Sequence, residues 1–576
     1  MNQKLENILN VSLDATEDEL RKADSLSTGY NWRDNTWEII VKYSGSLESI
    51  RNRYNVYIKE LLNYYAIIVA DKATIELISQ EDVIDYVEKP KSLYYQIERT
   101  KTAACVGNVR AGGGILSGKS VIVGVIDTGI DIYDNAFRNS DGTTRILNIY
   151  DQTTGEKYDK QSIDEYIKLN EDLSGGTFSY DNAPGVDNIM HGTDVSYIAA
   201  GSLGVAYEAD IIAVKMGYSI NNQFPRTTSL MDAIDYVIRK AIEYRKPVAV
   251  NISYGCNYGA HNGNTLLESF IDDISKSYRC VICVGSGNEA DKAIHFGGII
   301  NTGQVQTAYL SVGEYQSAMD IQIWKNYWDT IDVMLINPRG EQIGIITEGK
   351  INRYETYNTE IITLLGEPSP YNIYQEIYIN LIPKTDYILS GIWQIVLMAG
   401  NIRAGEYNIW LPSSQALGNA TSFNNPTADG TITIPATARN CIAVGAYNAY
   451  TNSYAAFSGR GFDNSIRNVN AGVKPDITAP GVDISIARQR GNDIIYRNVT
   501  GTSYAVPVVT GAAALLMQWG IVMGNDRFMY GEKLKAALID GSKPVGLAGI
   551  TGNDNHPDPR TGWGAVCLMN TLNKIL

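Results

Sequence analysis

Three short motifs each frame a residue that can take part in acyl transfer: Asp127-Thr128-Gly129, His191-Gly192-Thr193 and Gly501-Thr502-Ser503-Tyr504-Ala505-Val506-Pro507. A serine hydroxyl becomes a useful nucleophile only when an adjacent base takes its proton, and imidazole is suited to that near neutral pH. A carboxylate behind the imidazole fixes its tautomer and stabilises the imidazolium that forms. Taken singly, each residue has a commonplace reading: a strand-end Asp closing a turn, a His at a helix start, an N-cap Ser. His191 is one of only four histidines, the others being His261, His295 and His556. Three framed copies, in the order Asp, His, Ser, are not accounted for by core packing.

A fourth residue extends the set. Asn288, in Gly285-Ser286-Gly287-Asn288-Glu289, follows an apolar run and offers a side-chain N–H donor for a developing oxyanion. The elements that must position these groups are legible as well. Residues 121–126 form a continuous apolar strand, which puts Asp127 at the carboxyl edge of a sheet, where ligands bind in open α/β folds. The His191 frame precedes Val195, Ile198, Ala199 and Ala200 at helical spacing. Ser503 opens a helix with its body at 508–516, with Gly501 allowing a tight entry and Pro507 expected in the first turn. A helix start there directs backbone N–H groups and partial positive charge toward the serine oxygen. Further apolar runs at 211–214, 247–253, 279–285 and 442–446 alternate with amphipathic stretches at 229–244 and 265–277. That alternation predicts an α/β domain, a buried parallel sheet with helices on both faces.

The remainder divides by texture. Residues 1–96 read as most of a β-α-β-β-α-β, ferredoxin-like α+β unit, with a capping box at Thr16 to Glu19, a helix over 47–62 and one strand unplaced. Between 301 and 430 the alternation of strand and helix stops. Short alternating runs such as Asp320-Ile321-Gln322-Ile323-Trp324 predict an all-β sandwich inserted into the α/β domain. The domains expected are therefore 1–96, 97–300, 301–430 and 431–576, the second and fourth forming one unit. At 576 residues the chain exceeds a single core. A net charge of −15 argues against nucleic acid or an anionic membrane surface as partner. No apolar leader and no 18-residue apolar run are present, so synthesis in the cytoplasm without a membrane span is expected. Six scattered cysteines (105, 256, 280, 283, 441, 567) read as reduced thiols. Cys280 and Cys283 have redox spacing, but they sit three apart on a strand and point to opposite faces.

These motifs resemble those of the subtilisin-type serine proteases. Besides the three frames and Gly287-Asn288, the likeness extends to Asn251-Ile252-Ser253-Tyr254-Gly255, Lys474-Pro475-Asp476-Ile477-Thr478-Ala479-Pro480-Gly481 and Gly562-Trp563-Gly564. It spans 102–300 and 430–576. The resemblance implies catalytic Asp127, His191 and Ser503, with Asn288 in the oxyanion hole. Ser253, Tyr254, Gly255 and Gly285, Ser286, Gly287 would flank the pocket before the scissile bond, and extended substrate would add to both as a β-strand. Residues 1–96 resemble the family's prodomain, a chaperone and inhibitor, with self-cleavage after Gln96. Asp194 and Tyr197 depart from the family's His and Gly; both are read as outside the chemistry. The longer Asp127–His191 spacing is filled by 150–187, read as a wall or lid over the cleft.

The combination of prodomain and inserted jellyroll is similar to the Csp germination proteases of spore-forming clostridia. That likeness implies limited proteolysis of a proenzyme during spore germination, in a spore-associated setting. Alternatives are a pseudoprotease scaffold, which has lost triad residues, and a subtilase with another substrate. Partners implied are a protein or peptide substrate and the chain's own prodomain. No cofactor is expected. Calcium is common in relatives, but the Asp-rich runs at 181–187 and 554–558 lack ordered ligand spacing, so no metal site is assigned.

Overall fold

The computed structural model describes residues 2–91, 94–95, 116–172, 183–217, 224–346, 349–418, 420–462, 472–490, 493–546 and 557–575. Its centre is a sheet of nine strands. From one edge the order is Ser453–Tyr454, Ile442–Asn448, Cys280–Gly285, Val248–Ile252, Ile122–Asp127, Asp210–Lys215, Ile146–Asp151 and Glu156–Asp159, with Ile477–Val482 also pairing Ile442–Asn448. The middle strands are parallel. Ile122–Asp127 and Cys280–Gly285 are buried along their whole length, as strands covered on both faces must be. Helices Thr227–Tyr244 and Leu266–Ser277 pack on one face. His191–Ala200 and the apolar Thr502–Met517 pack on the other. Cys280 and Cys283 enter these two opposite cores, as alternation along a strand requires. Both thiols are free, and burial pushes each up to about 12. Among the described residues, Thr502–Val522 is the helical stretch apolar enough to cross a membrane, and most of it lies inside this core.

The N-terminal block is a five-stranded antiparallel sheet. Its unplaced strand is Tyr57–Glu60, in a stretch that reads as helix from the sequence. The helix covers only Glu48–Tyr54, because Asn55 adopts the left-handed conformation (φ +49°) and closes it. The chain then pairs with Tyr65–Ala70. The apolar sheet face bearing Ile40, Tyr65, Ile67 and Tyr86 sits on the two helices Thr227–Tyr244 and Leu266–Ser277.

The insertion is a sandwich of a six-stranded sheet and a five-stranded sheet, antiparallel throughout, running from His295–Ile299 to Ser422–Phe423. Ile331–Ile336 shows the expected alternation, with Ile331, Val333 and Leu335 buried and Asp332 exposed. Met319–Asn326 does not. Its polar face is buried too, since Tyr258 Oη donates to Asp320 and the Gly259 amide donates to Gln322 (2.8 Å). On the sandwich's other flank Ile362, Leu364, Tyr378 and Ile382 join the core of the N-terminal block. The segment 150–187 is not simply a loop over the cleft: it contains the hairpin Ile146–Asp151/Glu156–Asp159 and the helix Lys160–Asp172.

Candidate active site

Asp127 ends its strand and His191 begins its helix, and the two motifs are pressed together at the carboxyl edge of the sheet. His191 Nδ1 lies 2.6 Å from Asp127 Oδ1, which also accepts the Thr128 amide (2.8 Å). Gly192 makes this approach feasible. A Cβ there would stand 2.3 Å from the Gly129 carbonyl oxygen and 3.0 Å from Asp127 Cβ, so no side chain fits. With Nδ1 donating to the carboxylate, Nε2 is the bare nitrogen, and it is buried without a hydrogen-bond partner among the described residues. Burial pulls the imidazole's pKa down, but the charge and hydrogen bond of Asp127, with the charges of Asp187 and Asp194, outweigh it and leave it above the ordinary value.

Ser503 is the second residue of Thr502–Met517, in its first turn behind Gly501 (φ +149°), and is fully buried. Pro507 is the sixth residue of that helix rather than a first-turn residue. Lacking an N–H, it withdraws the helical donor from the Ser503 carbonyl. Asn288 follows the strand Cys280–Gly285. Its Oδ1 accepts both the Thr502 amide and the Thr502 hydroxyl, each at 3.0 Å. That fixes the flip of the amide and leaves Nδ2 as a buried donor with no partner among the described residues. A donor held ready at a helix start is the device that stabilises a developing oxyanion.

Of the two segments expected to flank the substrate, one carries an added strand. Tyr254–Gly255 pairs antiparallel with Tyr94–Tyr95, the tail of the N-terminal block, in the register Tyr254 with Tyr95 and Gly255 with Tyr94. Gly285, Ser286 and Gly287 serve differently. The Ser286 carbonyl accepts the Thr433 amide (3.0 Å) and the Gly287 carbonyl accepts the Gly459 amide (2.8 Å), so they form a wall rather than a second pairing edge. Ser253 Oγ accepts from Asn251 Nδ2 (3.0 Å), whose Oδ1 accepts from Thr510 on the Ser503 helix (3.1 Å). Gln96 lies outside the described residues, as do Cys105, the Asp-rich run at 554–556 and part of that at 181–187. Among the described residues no cluster of His, Cys, Asp or Glu could hold a metal ion.

Two residues matter more than their sequence context indicated. Asp187 is fully buried. It accepts from the Thr128 hydroxyl (2.7 Å), the Met190 amide (2.8 Å) and both the amide and hydroxyl of Thr193 (2.8 Å each). It thereby ties the Asp127 frame to the His191 frame. Its only sequence signal is a carboxylate four residues before His191. Asp194, read as remote, is fully buried three residues after His191 and pairs with Arg497 (3.1 Å), which lies on the hairpin leading into Ser503. Its charge acts on His191, so it belongs to the site's electrostatics.

A chain that lays its own extended tail beside an Asp–His couple and a helix-start serine falls among the serine proteases. Its membership is more specific: the chain belongs to the subtilase family. The subtilase family profile matches residues 118–369 and 395–564, and that of the Csp protease B prodomain matches 3–91. The solved structure of the Clostridium perfringens CspB protease aligns with a TM-score of 0.73 and 34% identity, covering 82% of this chain and 96% of that one. Two curated relatives match over shorter spans. The subtilase-type proteinase RRT12 of Saccharomyces cerevisiae is 39% identical over 88 residues, 15% of each chain. Subtilisin-like protease 10 of Arthroderma otae is 34% identical over 126 residues, 20% of this chain and 28% of its own length. The chain therefore matches well under a third of either curated relative.

Proposed function

We propose that this protein is a serine endopeptidase that cuts its own chain after Gln96 and then acts by limited proteolysis on a proenzyme during spore germination. The observation that carries the self-cleavage is the tail strand. Tyr95, the residue before Gln96 in the sequence, stands opposite Tyr254, the residue after Ser253. Pairing that runs up to Tyr95 supports a cut one residue further on, beside the pocket bounded by Ser253 and Gly285–Gly287. Ser503 Oγ would pass its proton to His191 Nε2 and attack the Gln96 carbonyl carbon, while Asn288 Nδ2 and the Ser503 amide take the oxyanion. His191 would then protonate the departing amine, and water would release the acyl group by the reverse transfer. After the cut, the packing of the N-terminal sheet on helices Thr227–Tyr244 and Leu266–Ser277 supports a cleaved prodomain that remains bound. The proenzyme and germination role rest on the likeness to CspB of C. perfringens.

The test is N-terminal sequencing and intact mass of wild type beside Ser503→Ala. Wild type should give two chains, the larger beginning at residue 97, and the variant should stay whole. Cleavage of the variant at the same bond would remove Ser503 as nucleophile.

A further inference from the structure

His261 is the residue in the neighbourhood of the cleft that the triad does not use. It is buried, with 4% exposure, and its backbone is left-handed (φ +50°), a conformation uncommon outside glycine. Each ring nitrogen meets a main-chain carbonyl: Nδ1 lies 2.6 Å from Ile432 O and Nε2 lies 3.2 Å from Asn257 O. A carbonyl oxygen only accepts, so both nitrogens must carry a proton to satisfy both contacts. A neutral imidazole has one such proton. The ring also lies flat on Trp410, centroids 4.2 Å apart and planes 14° from parallel, where the indole face favours a cation.

The two carbonyls belong to the two sides of the substrate cleft. Asn257 stands two residues beyond Gly255, on the segment that pairs with the tail strand. Ile432 precedes Thr433, whose amide holds the Ser286 carbonyl and whose side chain fills the space beside Gly287. A further bridge between Cys256 and Ile434 runs alongside. His261 therefore braces one wall against the other. Trp410, the last residue of the sandwich strand Glu406–Trp410, backs it and donates to the Gly430 carbonyl (2.9 Å).

We infer that His261 is held as an imidazolium and is a positioning residue that fixes the width of the cleft, one ring nitrogen bonded to each wall. Identifying the cleft rests on the endopeptidase reading; the charge state of His261 does not. The ionisable groups on the neighbouring segments are His295, also stacked on Trp410 (4.9 Å between centroids), Asp320 held by Tyr258, Glu268 on Leu266–Ser277, Asp429 beside Gly430, and Arg460, whose carbonyl accepts the Ile432 amide. A cation held by the fold is retained on the acid side. As pH rises and the second proton leaves, one wall loses its bond and the pocket slackens. The effect falls on substrate binding rather than on proton transfer.

The test is nitrogen NMR of the full chain carrying labelled histidine, aided by there being only four histidines, with His261→Gln to assign the signal. At pH 7.5 an ordinary histidine is about nine-tenths neutral. His261 should show both nitrogens protonated, and a single bare nitrogen at that pH overturns the proposal. The second measurement is cleavage of a peptide spanning 92–100 between pH 6 and 9. His261→Gln should raise KM about tenfold at pH 7, the size of a lost charge-assisted hydrogen bond, with kcat within about twofold. Wild-type KM should rise with pH and His261→Gln should abolish that rise; an unchanged KM profile overturns the proposal. If Ser503→Ala still cuts, the protease reading falls while the NMR result stands on its own.

Discussion

Asp127 Oδ1 and His191 Nδ1 meet at 2.6 Å with both side chains buried, so the tautomer of His191 is set by one contact. Asp127→Asn should keep the fold and slow junction cleavage about ten-thousandfold, the loss expected when the imidazole is held in the wrong tautomer. Asn288→Ala removes a donor already oriented by Thr502 and should slow the same reaction about a hundred- to a thousandfold, and it should also lower Tm because the buried Thr502 amide and hydroxyl lose their acceptor. The pH dependence follows from sign. His191 must be neutral to act as base, and its pKa is raised, because Asp127, Asp187 and Asp194 outweigh burial. The acid limb of the rate profile should therefore lie above that of an ordinary histidine. The stability drawn from the same shift is present below the unfolded value and lost as pH rises through the folded one. These residues were readable from the motifs because their frames are local. Asp187 was not, since what joins it to the Asp127 frame is the hydrogen bond from Thr128, 59 residues away in the chain.

At the scale of elements, the hairpin Ile484–Arg490/Asp493–Val499 connects the His191 helix to the start of the Ser503 helix through the Arg497–Asp194 pair. Arg497→Gln should destabilise by about 1–2 kcal/mol, less than a fully buried pair because Arg497 is one-third exposed. It also removes the guanidinium that offsets the charge of Asp194 beside His191, so the acid limb should move further to higher pH. Thermal unfolding and the rate profile report these separately. Periodicity located five of the parallel strands and both helices of the Tyr254 side because each has an uninterrupted apolar stretch, but it missed Ile146–Asp151 and Ile477–Val482. It failed at 47–62, where one left-handed Asn55 converts an apparent helix into helix, turn and strand. It also failed for Met319–Asn326, whose polar residues are buried by another part of the chain.

At the scale of the molecule, three parts of the chain meet around buried ionisable groups. Glu6, Glu88, Lys89 and Lys91 come from the N-terminal block and Asp320 and Glu376 from the sandwich, while the catalytic part supplies the Thr227 hydroxyl and the Leu266 amide. Lys91 pairs with Glu6 (2.7 Å) and Glu88, and Glu88 accepts the Leu266 amide at a helix start (2.8 Å). Burial, then the charge of Glu6, push Glu376 up to about 8, and burial pushes Asp320 up to about 7. A carboxyl raised in the fold contributes stability below its unfolded value, and that contribution is lost as pH rises through the folded one. Burial pulls Lys89 down to about 7, which acts in the opposite sense; with two raised carboxyls against one lowered lysine, the N-terminal block, once cut, should stay with the enzyme at pH 6 and separate more readily at pH 9. Size-exclusion chromatography of the cleaved protein checks this, and Glu376→Gln should flatten the dependence.

The sequence by itself marked out the candidate trio, the candidate oxyanion donor and the architecture, because motif glycines, apolar strands and helix starts are constraints within a few residues. Tertiary structure alone decided how the parts serve one another. The tail strand lies on Tyr254–Gly255, Asp187 joins two motifs 64 residues apart, and the sandwich backs the cleft through Trp410. Each depends on groups distant in the chain meeting at hydrogen-bond range, and no local pattern encodes such a meeting.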